Sequence, residues 1–287
     1  MARPRIAIIG AGRMGQGLGL ALQRRGYSAA LFARSERPVA ASLLLQTGDI
    51  SAVTNGAEVV IIATPDDAVT GVARQLADAG AVTREQSVLH ISGLLDHLAL
   101  APLKVTKAGL GSMHPLQTLA DPGTAVERLQ GVYAMIEGDE PALQQAERLA
   151  RSLKMIPIRI EASAKPRYHA AASLVANYTT VLGAIAERVA REAGVSPEVS
   201  RKIYLPLLKG AVDNLAEFSP VAALTGPIRR GDLATVRAHL EALQGEDRRV
   251  YAELGRAALA LAREGGLEES QASKMEALLN GAAATVR

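Results

Sequence analysis

The sequence predicts a doubly wound α/β sheet followed by an all-α domain, and three features lead there. Short runs rich in Val and Ile alternate with amphipathic helical stretches through about residue 160. A glycine-rich turn joins the first of these strands to the first helix. From Lys165 onward the chain is Ala- and Leu-rich, with helical spacing and almost no strand signal. We therefore expect an α/β domain over residues 1–160 and a helical domain over 161–287. No low-complexity linker lies between them, so the boundary is a change of architecture and not a tether.

Taken in order, Arg5–Ile9 is a candidate strand, Met14–Arg25 a helix and Ser28–Ala33 a strand. Glu58–Ala63 is a near-continuous apolar strand, Ala68–Ala79 a helix and Ser87–Ile91 a further strand. Such fully apolar strands separated by helices are the mark of a parallel sheet covered on both faces. Two more strands are expected at Gly131–Ile136 and Met155–Ile160, with a helix from Pro141 to Leu153 between them. In the second half, Gly194-Val195-Ser196-Pro197 stops one helix and caps the next. Gly226-Pro227, Gly231-Asp232 and Gly265-Gly266 give further breaks, for about five helices in all.

Composition excludes several functions. With 287 residues, 48% of them hydrophobic, the chain has material for two cores. A net charge of +3, from 32 basic and 29 acidic residues, offers no clustered basic face for nucleic acid. The absence of cysteine removes disulfides, thiolate metal sites and a cysteine nucleophile. No apolar run reaches the ~20 residues of a membrane span. The apolar stretch after Met1 is too short for a signal peptide and runs into the glycine turn, so a cytoplasmic protein is expected. No His, Asp or Glu spacing suggests a metal, and Ser92 lacks the glycine-flanked elbow of a hydrolase.

The glycine turn is Gly10-Ala11-Gly12-Arg13-Met14-Gly15. The first glycine permits the tight turn, the second lets backbone approach a pyrophosphate, and the third lets the helix lie close to the strand. With a strand before it and a helix after it, this is a Rossmann-type dinucleotide site. The second strand ends in Ala33-Arg34-Ser35-Glu36-Arg37. Where an NAD site places an acid on the ribose, this chain places Arg34, with Ser35 and Arg37 following, which suits a 2′-phosphate. NADP is the expected cofactor. The strand Glu58–Ala63 ends in Thr64-Pro65-Asp66-Asp67, at the strand ends where such sheets bind ligands. Asp66 and Asp67 equally fit plain helix N-caps.

These motifs, together with His90-Ile91-Ser92-Gly93, Ser112-Met113-His114-Pro115-Leu116 and the helical second half, resemble the 6-phosphogluconate-dehydrogenase-like superfamily. That group includes pyrroline-5-carboxylate, ketopantoate and prephenate oxidoreductases. Tyr168-His169-Ala170-Ala171-Ala172 running to Asn177-Tyr178, and Leu224-Thr225-Gly226-Pro227 running to Gly231-Asp232, resemble its branch with a helical domain of unknown function, DUF2520. The resemblance implies the fold, a nicotinamide cofactor and a homodimer whose helical domains complete each other's sites; it does not imply a substrate.

Lys165, His169, Ser173 and Asn177 recur every four residues on one polar stripe of the helix opening the second domain. The stripe is ~18 Å long, so its members do not all meet one substrate carbon. In the similar ketopantoate reductases a lysine is followed by polar residues at +4 and +8. Matching Asn177 to the last of these puts His169 in the lysine's place, which favours His169 and Asn177 over Lys165. Lys165 substitutes only if the helix begins beside the active site. The segment around His114 resembles the His-Pro turn of prephenate dehydrogenases, where histidine contacts substrate oxygen; a loop-anchoring role is the alternative. Ser92 is a candidate for substrate or the nicotinamide carboxamide. His90 reads as a core residue, and His97 and His239 as surface positions.

Arg229 and Arg230 follow Gly226-Pro227 and suit either a substrate carboxylate, supplied across a dimer, or a surface ion pair. The leading expectation is an NADP-dependent oxidoreductase acting on a small carbonyl or imine substrate. Two alternatives stand beside it: an NADP-binding sensor without turnover, and a prephenate-type dehydrogenase.

Overall fold

A computed structural model describes residues 4–283. Met1–Arg3, where the signal-peptide alternative begins, lie outside the described residues. Two compact units are present, residues 1–176 and 177–287.

The first unit is built on an eight-stranded sheet of order β3-β2-β1-β4-β5-β6-β7-β8. Its elements run β1 (Arg5–Ile9), α1 (Arg13–Arg24), β2 (Ser28–Phe32), β3 (Leu44–Gln46), α2 (Ile50–Thr54), β4 (Val59–Ile62), α3 (Asp66–Asp78) and β5 (Ser87–His90). A 3-10 segment, His97–Thr106, leads to β6 (Gly109–Pro115), then α4 (Ala125–Arg128), β7 (Tyr133–Gly138), α5 (Glu140–Ser152) and β8 (Ile156–Arg159). The first six strands in spatial order are parallel, and the strand order reverses at β1/β4. Alternate residues of each strand feed opposite faces: Ile6, Ile8, Val59 and Ile61 join Leu18, Leu22 and Leu149 on one side. Ala7, Ile9, Val60 and Ile62 join Val69, Leu76 and Leu103 on the other. This double burial is why the strands read as unbroken apolar runs.

Two features depart from the expected sheet. β3 and β6 are additional strands, and β7 runs antiparallel to β6, so the sheet is mixed. The segment expected as a His-Pro turn is the end of β6, where His114 pairs with Met135. Gly109 and Gly111 hide this strand in the sequence, because glycine weakens strand signals and marks close backbone approach. Here a Cβ on Gly111 would lie 2.7 Å from Glu137 O and 2.9 Å from the Ala142 side chain.

The helix α6 (Lys165–Glu192) follows, and then α7 (Pro197–Glu217), α8 (Pro220–Ala223), α9 (Leu233–Ala242), α10 (Gly245–Glu264) and α11 (Glu269–Ala283). The expected breaks are where these helices start and stop: Ser196 caps α7 by accepting from Val199 N, and Asp232 caps α9 by accepting from Thr235 N. Val236, Leu240, Leu259, Met275 and Leu279 form the core of the second unit. Among the described residues no helix is long and apolar enough to cross a membrane.

Candidate active site

The carboxyl ends of β1, β4, β5 and β6 lie side by side, because Ile9 pairs with Ile62, Ile62 with His90, and His90 with Ser112. The loop Arg34–Arg37 leaves the same edge, because Phe32 at the end of β2 pairs with Ile9, so every candidate before residue 115 is gathered there.

At the switch point, Gly10 has φ +119°, and a Cβ there would lie 2.5 Å from Ala63 O. The turn after β4 therefore closes directly on the glycine turn, and only glycine allows it. A Cβ on Gly15 would collide with Gly10 O, which holds α1 close against the strand. Gly12 has open space around it and caps α1 with no side-chain bond, and no acid occupies the first turn. The amide groups at the start of α1 are thus free of side-chain caps, as an approaching phosphate requires. Met14 is half-buried in the first turn, and Arg13 beside it is exposed. Arg34, Ser35 and Arg37 are exposed after β2. Thr64 Oγ1 is buried without a hydrogen-bond partner among the described residues. An open helix N-terminus, a glycine turn and an orphaned hydroxyl fit a dinucleotide.

The turn after β5 carries the second half of the site. Ser92 Oγ donates to Asp66 Oδ2 at 2.8 Å and accepts from Leu94 N and Leu95 N, so its hydroxyl is committed to the fold. That bond ties the Thr64-Pro65-Asp66 turn to Gly93. Over Gly93 lie two imidazoles: a Cβ there would sit 2.8 Å from His114 Cε1 and would collide with His169 Nδ1. The His114 and His169 rings meet edge to face at 5.7 Å, and His114 Nδ1 lies 2.9 Å from the Tyr168 hydroxyl. His169 Nδ1 is buried and has no partner among the described residues.

Lys165 is the first residue of α6 and is only 1% exposed. Its Nζ donates to Ser92 O at 3.2 Å and to Ser112 Oγ at 2.8 Å. The helix does begin at the site, so the condition for Lys165 is met. Lys165, Tyr168 and His169 stand at i, i+3 and i+4, one helix face. Ser173 is half-buried two turns on, and Asn177, three turns beyond Lys165, is exposed.

Burial controls the charges here. It pushes the His114 imidazole from 6.5 down to about 4, with His169 and Lys165 acting in the same direction. His90 also falls to about 4, chiefly by burial. Burial likewise lowers Lys165, opposed by the carboxylates of Glu137, Asp96 and Asp66. Tyr168 is pushed up to about 12 by burial.

Sequence reasoning missed Tyr168 as a site residue, although its i+3 spacing from Lys165 signals it. It also placed His97 on an ordinary surface. His97 is instead half-buried, its N donating to Glu137 Oε2 at 2.9 Å and its Nδ1 bonded to Glu137 Oε1. Glu137 itself, 5% exposed on β7, was not singled out. In the second unit, Arg229 Nη2 donates to Gly265 O at 2.8 Å, which engages it within the fold, while Arg230 is exposed.

Comparison with known proteins agrees with this architecture. Residues 1–115 match the Rossmann-like domain and residues 132–258 match a domain of unknown function, DUF2520. No protein of curated function matches the sequence. Among solved structures, one assigned as an NADP oxidoreductase from Bacteroides fragilis superposes with TM-score 0.76 at 21% identity, covering 90% of this chain and 98% of that one. A Thermotoga maritima protein gives 0.67 at 23%, covering 90% and 98%. The NADP-bound pyrroline carboxylate reductase of Plasmodium falciparum gives 0.61 at 13%, covering 96% and 99%. At these identities the likeness is one of fold.

Proposed function

We propose that this chain is an NADP-dependent oxidoreductase that transfers a hydride between the nicotinamide and a small carbonyl or imine substrate bearing a carboxylate. The observation that carries the reading is the gathering of Lys165, His114, Tyr168 and His169 on the Ser92-Gly93 turn. That turn is one hydrogen bond from the Thr64 turn, which closes on the glycine cradle. The nicotinamide, when bound, supplies or accepts the hydride.

The chain's own work is to hold substrate and move one proton. Lys165 Nζ, fixed between Ser92 O and Ser112 Oγ, is the proton source for the oxygen or nitrogen that gains a lone pair. His114 is neutral at pH 7 and Tyr168 keeps its proton. When Tyr168 O–H donates to His114 Nδ1, the remaining ring hydrogen sits on Nε2. His169 Nδ1 is the buried polar atom that a substrate group would satisfy. Arg34, Ser35 and Arg37 would hold the 2′-phosphate, and exposed Arg230 is the better of the two arginines for a substrate carboxylate. A non-catalytic sensor has no need of a lysine buried against two strand ends, which favours catalysis over sensing.

The protein is further proposed to be a cytoplasmic homodimer. Val175, Tyr178 and Val181 on α6 and Leu205, Leu207 and Val212 on α7 are all at least half exposed, up to 76% at Val175. An apolar face of this kind is uncommon on a monomer. Sedimentation should give about twice the 30.0 kDa chain mass, and Leu207→Glu should return it to the monomer; a monomeric wild-type protein would remove the dimer.

Fluorescence titration with NADPH and NADH tests the cofactor. NADPH should bind much more tightly than NADH, and Arg34→Asp should weaken NADPH by ~10–100-fold through loss of a charge-assisted contact. Binding of neither nucleotide would sink the catalytic reading.

A further inference from the structure

Glu137 is a buried carboxylate in a strand whose neighbours are apolar, and the chemistry proposed for Lys165 and the histidines gives it no task. Burying a charge is costly unless it is paired and hydrogen-bonded. Its partners account for it on two sides. His97 supplies two bonds to it, from the backbone N and from Nδ1. On the other side Ser112 Oγ lies 3.4 Å from Glu137 Oε2. Ser112 Oγ is also the acceptor of the 2.8 Å bond from Lys165 Nζ. A serine hydroxyl that accepts from an ammonium keeps its own hydrogen to donate, and Glu137 is the acceptor in reach. Lys165, Ser112, Glu137 and His97 therefore form one hydrogen-bonded line, with the lysine 1% exposed, the serine fully buried and only the His97 end reaching solvent.

Register puts the line in place. Ser112 and Glu137 are directly paired across β6 and β7, so both side chains stand on the same face of the sheet. The antiparallel run of β7 sets Glu137, near its carboxyl end, opposite Ser112 of β6.

We propose that Glu137 is a positioning residue which, acting through Ser112 and clamped by His97, keeps Lys165 charged in its buried site. The proposal rests on the reading of Lys165 as the proton source. The other groups facing the lysine are the carboxylates of Asp66 and Asp96, which act in the same direction but more weakly, and the imidazoles of His90, His114 and His169. Of the three carboxylates, Glu137 opposes the burial penalty on Lys165 most strongly.

The test is the side-chain titration of Lys165 by NMR of lysine-labelled protein, its signal assigned by its loss in Lys165→Arg. In Glu137→Gln, which keeps shape but not charge, the Lys165 midpoint should move to lower pH. In Glu137→Asp, which keeps the charge, it should stay nearer that of the wild type. Where Glu137→Gln does not fold, Ser112→Ala, which removes the bridging hydroxyl, should also move the midpoint down. A folded Glu137→Gln, or in its place Ser112→Ala, with the wild-type midpoint would overturn the proposal, since a merely structural carboxylate leaves the lysine's titration unmoved. This readout needs no substrate or cofactor, whereas the nucleotide titration tests the enzymatic reading alone, so either can fail without the other. With a substrate in hand, the basic limb of the kcat profile should move to lower pH in Glu137→Gln as well. Turnover on that limb would fall about ten-fold for every pH unit by which the midpoint drops, with KM little changed.

Discussion

Lys165→Met is expected to lower turnover by ~10²–10⁴-fold, the range for loss of a positioned proton donor, while leaving NADPH affinity within a few-fold of wild type. The lysine is almost wholly enclosed and spends its hydrogens on Ser92 O and Ser112 Oγ, at the ends of two adjacent strands. None of its described bonds is to the Gly10–Gly15 turn or the Arg34 loop, so its loss removes no phosphate contact. Methionine matches the stem's length without bringing a charge, and replacing a buried charge by an apolar side chain is often neutral for the fold. Turnover and stability should therefore part company in this variant. His169→Ala should likewise cost turnover more than NADPH affinity, because its orphaned Nδ1 faces Gly93 and not the cradle. The measurement is kcat, KM and nucleotide affinity on whichever 2-oxo or cyclic imino acid a screen identifies. A Lys165→Met enzyme of normal turnover would move the proton to one of the two histidines.

The sequence carried the parallel half of the sheet because burial on both faces writes itself into composition. Val59–Ile62 admits no polar residue, and the turns after β1 and β4 carry glycine, proline and acid where the backbone requires them. β6 was not legible, since Gly109, Gly111 and Ser112 are chosen for closeness to α5 and β7 and not for strand propensity. The same non-local packing concealed Glu137: its value depends on a partner 25 residues away across an antiparallel pair. The helix stripe was legible as a stripe, but its order of importance was not. Spacing alone could not say where α6 starts relative to Ser92 and Ser112, and that start decides between Lys165 and Asn177.

Stability should fall steeply as pH drops from about 6.5 to about 4, by ~3 kcal/mol for His90 alone. His90 is completely buried; its Nε2 lies 2.9 Å from Asp96 O, and its Nδ1 accepts from Ser92 N at 3.2 Å. Both ring nitrogens are satisfied only in the neutral form with the hydrogen on Nε2. A second hydrogen on Nδ1 would face the Ser92 amide hydrogen. The folded pKa, about 4, lies below the ordinary 6.5, so the unfolded chain takes up the proton first as pH falls. Above 6.5 the neutral ring contributes its full stabilisation; through the window that contribution is lost, and below 4 the loss levels off. His114, also held near 4 but less deeply buried, adds in the same direction. Urea unfolding at pH 7, 5.5 and 4.5 gives the slope, and carboxylates contribute to it as well, so the comparison with His90→Gln isolates the imidazole. That variant should be less stable at pH 7 yet lose less between pH 6.5 and 4. Equal slopes would mean that the ring is charged in the folded protein, and the Ser92 turn would then need a different anchor.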